Sequence, residues 1–371
     1  MKILLLAFSF KTQYHVLRCF SQNNAEIHVL GSNLARGLSY SRYCSSYHEF
    51  HYNPLKMTLQ NAAREINKIA EDLDIDYVVP SDIISTKLLI RIRDSIFTKV
   101  PLLPDINTFN KLANKWSFYQ FSKEIDLPVP KTYNFTTPSA LISSISNGEL
   151  SLPIIIKPTD GMGSYDILII KNQSDLEKLR NVTYHPILAQ EYLSGRDCGI
   201  SMICKNGAVI SSCFQRHYSW GYEFDNKHEI NNFMKQIAHQ TNYSGIAHFD
   251  LLEIVEDKSF VFIECNPRSW YSIFALMLAG LNYALLSLDD SHYNSHAKLY
   301  LDSKVQLKVN KALFKSLLNP FNYRSIDIKT FTHYLSDPIP YISERFSIYD
   351  DLSSTGPGSI VNQIDLYNAI I

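Results

Sequence analysis

The chain has 371 residues, 46% of them hydrophobic and 19% charged, with a formal net charge of −1. That composition excludes a disordered chain, and at roughly 100–200 residues per domain it predicts two or three domains with substantial cores. The near-zero charge argues against general electrostatic capture of nucleic acid or of an acidic membrane.

In chain order, Lys2–Phe8 is a short apolar run. It is too short to span a membrane and is followed by no small-residue cleavage site, so it reads as a buried first strand. A helix-like stretch follows around Tyr14–Ser21, then an apolar strand at Glu26–Gly31, a helical pattern over Leu59–Leu73 and a strand at Asp76–Pro80. Strands alternating with helices of this length predict a parallel α/β sheet. No G-x-G-x-x-G follows the first strand, so no dinucleotide site is expected there. Pro101 and Pro104 mark a boundary near residue 105, and a helix is predicted from Thr108 to Ile125, stopped before Pro128-Val129-Pro130.

Further strands are predicted at Pro153–Lys157, Ile167–Ile170, Ile187–Leu193, Cys198–Cys204 and Ala208–Gln215, with helices at Ser174–Arg180 and Lys227–Thr241. Ile246–Val255 and Ser259–Cys265 read as a hairpin around Glu256-Asp257-Lys258, and Ser272–Leu288, interrupted by Gly280 and Asn282, as a core helix and turn. The last 70 or so residues are aromatic and poorly periodic. The six cysteines form no C-x-x-C pair and no His-rich ligand spacing, which fits free thiols in a reducing cytoplasm.

Three segments carry chemical signals. Alternation places Glu264 and Asn266 on one face of their strand, and the neighbouring strand can bring Asp250 to it. Two carboxylates and an amide oxygen make a hard-oxygen set suited to Mg²⁺, the alternative being a pair of solvated edge-strand acids. Lys157 at a strand end, followed by a small-residue loop with Gly161, Gly163 and Ser164, can bring a charge and backbone N–H groups to phosphate oxygens; an ordinary turn is the competing reading. The strand Leu188–Leu193 breaks into a polar hinge and a turn at Gly195, where backbone groups can read an adenine edge.

The order of these pieces resembles the ATP-grasp superfamily over about residues 105–290. It is similar in particular to carbamoyl-phosphate-synthetase-like members and ATP-dependent carboxylate–amine ligases, through Glu264-x-Asn266-Pro267-Arg268. The resemblance implies a mixed α/β (α+β) fold: a parallel pre-ATP-grasp domain at 1–105, an ATP-grasp domain at 106–295 with a small lid subdomain at about 115–190, and an extension at 296–371. It implies that Lys115 and Lys157 touch nucleotide phosphates, with Lys111 a nearby competitor, and that Gly161, Gly163 and Ser164 close over them. Gln190, Glu191 and Leu193 match the adenine hinge, many members having an acid where Gln190 stands; Leu252 and Ile263 match apolar walls and Asp197 the ribose-binding acid. Asp250, Glu264 and Asn266 match Mg²⁺ ligands, which also accept Mn²⁺. Arg268 matches an arginine facing the acyl phosphate or substrate carboxylate, and Arg216 is a looser match to a basic residue over the γ-phosphate.

The activity so implied is Mg-ATP-dependent ligation. A carboxylate becomes an acyl phosphate and an amine attacks it, releasing ADP and phosphate. The alternatives are a carboxylase-like enzyme with a non-amine acceptor and a nucleotide-binding protein without catalysis. The chain has no Met-Lys-Met biotinyl-carrier sequence. The implied partners are small-molecule carboxylates and amines, with no nucleic acid or membrane, in the cytoplasm. The tail is read either as packing on the nucleotide domain or as a homodimer contact. His217, His248 and the aromatic stretch Trp220–Phe224 read first as packed residues and second as an acceptor pocket.

Overall fold

The computed structural model describes residues 1–53, 55–160, 167–290, 297–318, 324–340 and 342. The chain divides into two compact units, residues 1–106, 201–248 and 267–371 in the first, 107–200 and 249–266 in the second. The division expected from sequence, 1–105, 106–295 and 296–371, is contiguous along the chain, whereas each compact unit gathers separate segments.

The first unit opens with strand β1 (Lys2–Ala7), helix α1 (Lys11–Ser21), β2 (Glu26–Gly31), β3 (Cys44–Glu49), α2 (Leu59–Asp72), β4 (Tyr77–Pro80) and α3 (Ile83–Ile92). The parallel sheet has the order β3-β2-β1-β4, with Ile3 opposite both Ile27 and Tyr77. Residues 3–6 of β1 are fully buried, and a central strand of a parallel sheet buries both faces, so its sequence runs apolar without alternation. Each such leucine contributes roughly 1.5–3 kcal/mol of burial. β3 went unread in the sequence because Cys-Ser-Ser-Tyr-His-Glu is an edge strand with no fully buried face. At the sheet's carboxyl end, Asp82 caps α3 reciprocally with Ser85, and its Oδ2 accepts from the Phe8 N–H and Gln13 Nε2, both at 2.7 Å.

In the second unit the single predicted helix from Thr108 to Ile125 is two: α4 (Ile106–Ala113) and α5 (Lys115–Glu124). The break is Asn114, whose Oδ1 accepts from the Trp116 and Ser117 amides, an N-cap inside an otherwise continuous apolar period. β5 (Thr132–Phe135), α6 (Pro138–Ser146), β6 (Ile154–Pro158), β7 (Leu168–Ile170) and β8 (Ile187–Glu191) follow, with the stretch predicted as a helix at Ser174–Arg180 wound as 3₁₀ over Gln173–Asn181. The antiparallel sheet has the order β5-β8-β6-β7. Ile154, Ile156, Ile170, Ile187 and Ala189 face a core closed by Leu141 and Ile145 of α6 and by Leu179.

β9 (Gly195–Lys205) and β12 (Gly245–Ile254) each begin in one unit and end in the other. Between them the first unit contains β10 (Ala208–Tyr218), β11 (Gly221–Asp225) and α7 (His228–Thr241); β13 (Phe260–Asn266) belongs to the second unit and neighbours β12. The first unit resumes with α8 (Ile273–Ala279), α9 (Tyr283–Leu286), β14 (Val305–Lys308), α10 (Asn310–Leu317) and α11 (Ser325–Leu335). Among the described residues, the tail read as poorly periodic therefore holds a strand and two helices. β14 pairs antiparallel with β11, and Gly221 is obligatory there: at φ +146° a Cβ would lie 2.0 Å from the Leu307 carbonyl oxygen. No helix among the described residues is long and apolar enough to cross a membrane.

Candidate functional site: a buried lysine pair and an oxygen cluster

Ile154 and Ile156 of β6 point into the core of the second unit, so alternation sends Lys157 to the opposite face. Gln190 pairs with Ile155 on one side and Thr132 on the other, which puts all three polar side chains on that face. Lys157 is only 4% exposed; its Nζ donates to Gln190 Oε1 at 2.8 Å, and Gln190 Nε2 donates to Thr132 Oγ1 at 2.9 Å. Burial pushes the Lys157 ammonium down to about 8; Glu264 and Asp250 oppose that shift and Lys115 adds to it. Its hydrogen-bond partner is a neutral amide, and the compensating carboxylates act from a distance.

Lys115 is the first residue of α5. Its backbone N–H donates to the Thr159 carbonyl at 3.0 Å, and its Nζ lies 3.4 Å from Glu264 Oε2. Asn114 reaches back to Asp160 with both carboxylate oxygens within 3.1 Å. The start of α5 is thus tied to the end of β6, bringing the two lysines into one electrostatic neighbourhood. Lys111 lies elsewhere, 5.5 Å over the Phe121 ring. Asn114 and Thr132 were absent from the sequence reading. An asparagine preceding a helical period was a legible capping signal for the first; nothing local marked the second.

On β12, Phe249 and Leu251 are buried while Asp250 and Leu252 are half-buried; on β13, Glu264 and Asn266 are half-buried while Cys265 is 4% exposed. Asn266 Nδ2 donates to Asp250 Oδ2 at 3.0 Å. Among the described residues no three His, Cys, Asp or Glu side chains gather as a metal-binding group. The donor set here is two carboxylates and an amide. These hard oxygens, half-open to solvent on one side of the strand pair, fit Mg²⁺, which completes its shell with water and phosphate oxygen. A rotation of the Asn266 amide would turn its oxygen to the same side.

Glu191 is exposed, and its amide donates to the Lys131 carbonyl at 2.8 Å. Leu193 and Ile263 are half-buried and Asp197 is exposed. A Cβ on Gly195 would sit 3.1 Å from the Glu253 carbonyl oxygen, so the turn after the hinge packs tightly on β12. Gly161, Gly163 and Ser164 lie outside the described residues.

Arg268 and Arg216 belong to the first unit. Arg268 Nη1 donates to the Ser269 carbonyl at 2.8 Å. Arg216 lies 3.5 Å from Glu223, with its guanidinium 4.9 Å over the Phe214 ring. His217 is edge-on to Tyr222, and His248 is buried, stacked on Trp270 at 5.2 Å and bonded to Ser201 Oγ at 2.9 Å. None of the six cysteines is joined in a disulfide.

Residues 112–270 match the family model described as the ATP-grasp domain. A D-aspartate ligase of Enterococcus faecium (strain Aus0004) is 23% identical over 222 residues, which are 51% of this chain and 52% of that protein. The match thus spans about half the length of that curated relative. Among solved structures, the biotin carboxylase–β-γ-ATP complex from Campylobacter jejuni aligns with a TM-score of 0.59 at 17% identity, over 83% of this chain and 73% of that one. The L-amino acid ligase of Bacillus licheniformis aligns at 0.55 and 16% identity, over 79% and 74%. N5-carboxyaminoimidazole synthetase from Staphylococcus aureus aligns at 0.60 and 12% identity, over 86% and 85%. At these identities the structural likenesses establish the mixed α/β fold.

Proposed function

We propose that this protein is an ATP-dependent carboxylate–amine ligase. The carrying observation is the second unit's arrangement of two lysines, one buried against a neutral amide and one against Glu264, beside the Asp250–Asn266 pair. The D-aspartate ligase and L-amino acid ligase relatives support the same reaction class.

Lys157 and Lys115 neutralise the nucleotide's phosphates. Lys157 waits with its desolvation only partly offset, so an arriving phosphate gains a strong charge-assisted hydrogen bond. Glu191 and Leu193 hold the adenine edge between Leu252 and Ile263, Gln190 braces the Lys157 ammonium beside it, and Asp197 holds the ribose. Asp250, Glu264 and Asn266 would hold Mg²⁺, which supplies further charge neutralisation at the phosphates. The substrate carboxylate attacks the γ-phosphorus, the bond to ADP breaks, and an acyl phosphate forms. The amine then attacks the acyl carbon, loses a proton, and expels phosphate. Such phosphoryl transfer asks for positioning and charge stabilisation rather than a protein nucleophile. Arg268 and Arg216 are assigned to that developing charge on the match of their sequence positions to the family.

The test is a phosphate-release assay with Mg-ATP across pairs of amino acids and small carboxylic acids. Release should require both a carboxylate and an amine, with the amide found by mass spectrometry. Glu264→Gln should lower kcat at least 100-fold with an unchanged circular dichroism spectrum. Bicarbonate-driven release that needs no amine would overturn the reading in favour of a carboxylase-like reaction.

A further inference from the structure

Gln190 of β8 pairs directly with Thr132 of β5 on one side and with Ile155 of β6 on the other, so Lys157, two residues along β6, lies diagonally across from it. All three polar side chains are nearly closed to solvent: Thr132 and Lys157 are 4% exposed and Gln190 5%. The hydrogen bonds through them run in one direction. The Thr132 hydroxyl donates to the Pro130 carbonyl at 3.0 Å, so its oxygen meets Gln190 as an acceptor. Gln190 Nε2 donates to that oxygen at 2.9 Å, which turns Oε1 toward the Lys157 ammonium at 2.8 Å. The opposite amide orientation would set donor against donor at both ends.

Two consequences follow from this polarity. Both ends of the Gln190 side chain are engaged inside the sheet, so its influence on a nucleotide passes through Lys157. An amide also fixes the ammonium without cancelling its charge, whereas a carboxylate in the same place would make a buried ion pair of zero net charge. The other charges that act on Lys157 are Glu264 and Asp250, which favour its proton, and Lys115, which opposes it. Glu264 is already engaged by Lys115 at 3.4 Å. The residue at position 190 therefore decides how much positive charge the lysine pair presents.

We propose that Gln190 is a positioning residue for phosphate capture: its locked amide holds the Lys157 ammonium in place and leaves the charge available to an arriving polyphosphate. This rests on the ATP-dependent reading above and deepens it, by naming the residue that sets the strength and the pH range of phosphate binding.

Calorimetric titration of the full chain with a non-hydrolysable ATP analogue and Mg²⁺, and separately with adenosine, tests it. Gln190→Glu keeps the size of the side chain and adds a charge. The ratio of analogue to adenosine affinity should fall about tenfold at pH 7. Proton uptake on analogue binding near pH 9 should vanish, because an ion-paired ammonium stays protonated there. Gln190→Met removes the acceptor at similar length and should extend proton uptake down to near pH 7. A role confined to holding the sheet together would lower both affinities in step and leave the proton linkage where it was. If Gln190→Met fails to fold, Gln190→Glu decides alone. An unchanged affinity ratio or undiminished proton uptake in Gln190→Glu overturns the proposal and leaves the ATP-dependent reading intact. Failure of the unaltered chain to bind the analogue would overturn both.

Discussion

Each unit buries a cation, and they are buried in opposite ways. Arg18 in α1 is 1% exposed and surrounded by acceptors: Tyr14 Oη at 2.9 Å, His333 Nδ1 at 3.1 Å, the His333 carbonyl at 2.9 Å and Ser336 Oγ at 2.8 Å. The Tyr43 ring lies 4.7 Å from its guanidinium, and Asp337 closes the network through Tyr14 and Ser41. Lys157 is nearly as buried, yet donates to a single amide oxygen. A cation whose donors are mostly spent on its own chain is a fastener. A cation left with a weak partner beside acidic groups is kept in readiness for an anion that arrives and leaves.

The contrast is sharpest in stability. Arg18→Leu strands a ring of buried acceptors and should cost about 3–5 kcal/mol in urea unfolding. Lys157→Met removes an under-compensated charge and should leave stability unchanged or higher, while weakening a non-hydrolysable ATP analogue by about 1.5–3 kcal/mol. Comparable destabilisation by both would break the distinction. Lys115→Ala should lose affinity on the same scale as Lys157→Met, and Lys111→Ala much less, because Lys111 rests on the Phe121 ring. Equal losses at 111 and 115 in calorimetry would mean that the wrong lysine is in place.

The readiness of Lys157 also has a pH response. Lys157 titrates near 8 when folded against an ordinary 10.5, so between those values the unfolded chain binds the extra proton. Stability contributed by this group therefore rises with pH across that window, whereas affinity for a polyanion falls as the ammonium discharges. Binding of the nucleotide analogue near pH 9 should take up protons, visible as a dependence of the binding heat on buffer ionisation enthalpy; Lys157→Arg should abolish the uptake. The smallest effect is expected at Thr132→Val, which leaves Gln190 Nε2 without its acceptor: about 1 kcal/mol in melting, with little change in nucleotide affinity.

What the sequence made legible follows from range. β1, β2 and β4 are continuous apolar runs, and β12 and β13 alternate clearly around a turn closed at Lys258, so local pattern was enough. Glu264 and Asn266 could be placed on one face because strand period fixes it, and Asp250 joins them because β12 neighbours β13. The break at Asn114 was hidden because α4 and α5 share one apolar phase. β14 spans Val305–Lys308 only, and α10 begins without a side-chain cap, so neither announces itself. The Arg18 network had no signature, because His333 lies 315 residues away and Asp337 lies 323 residues from Tyr14.

Those separations bear on how the chain is made. A nascent chain exposes α1 long before His333, Ser336 and Asp337 leave the ribosome, and until then Arg18 has no carbonyl, hydroxyl or imidazole from that segment to receive it. Closing a loop of that length is slow relative to local helix formation. The first unit is therefore completed only after its later segments, 201–248 and 267 onward, have been made. Arg18 ties the completion of this network to the late-made segment: a chain ending before residue 333 lacks the His333 and Ser336 acceptors of its guanidinium.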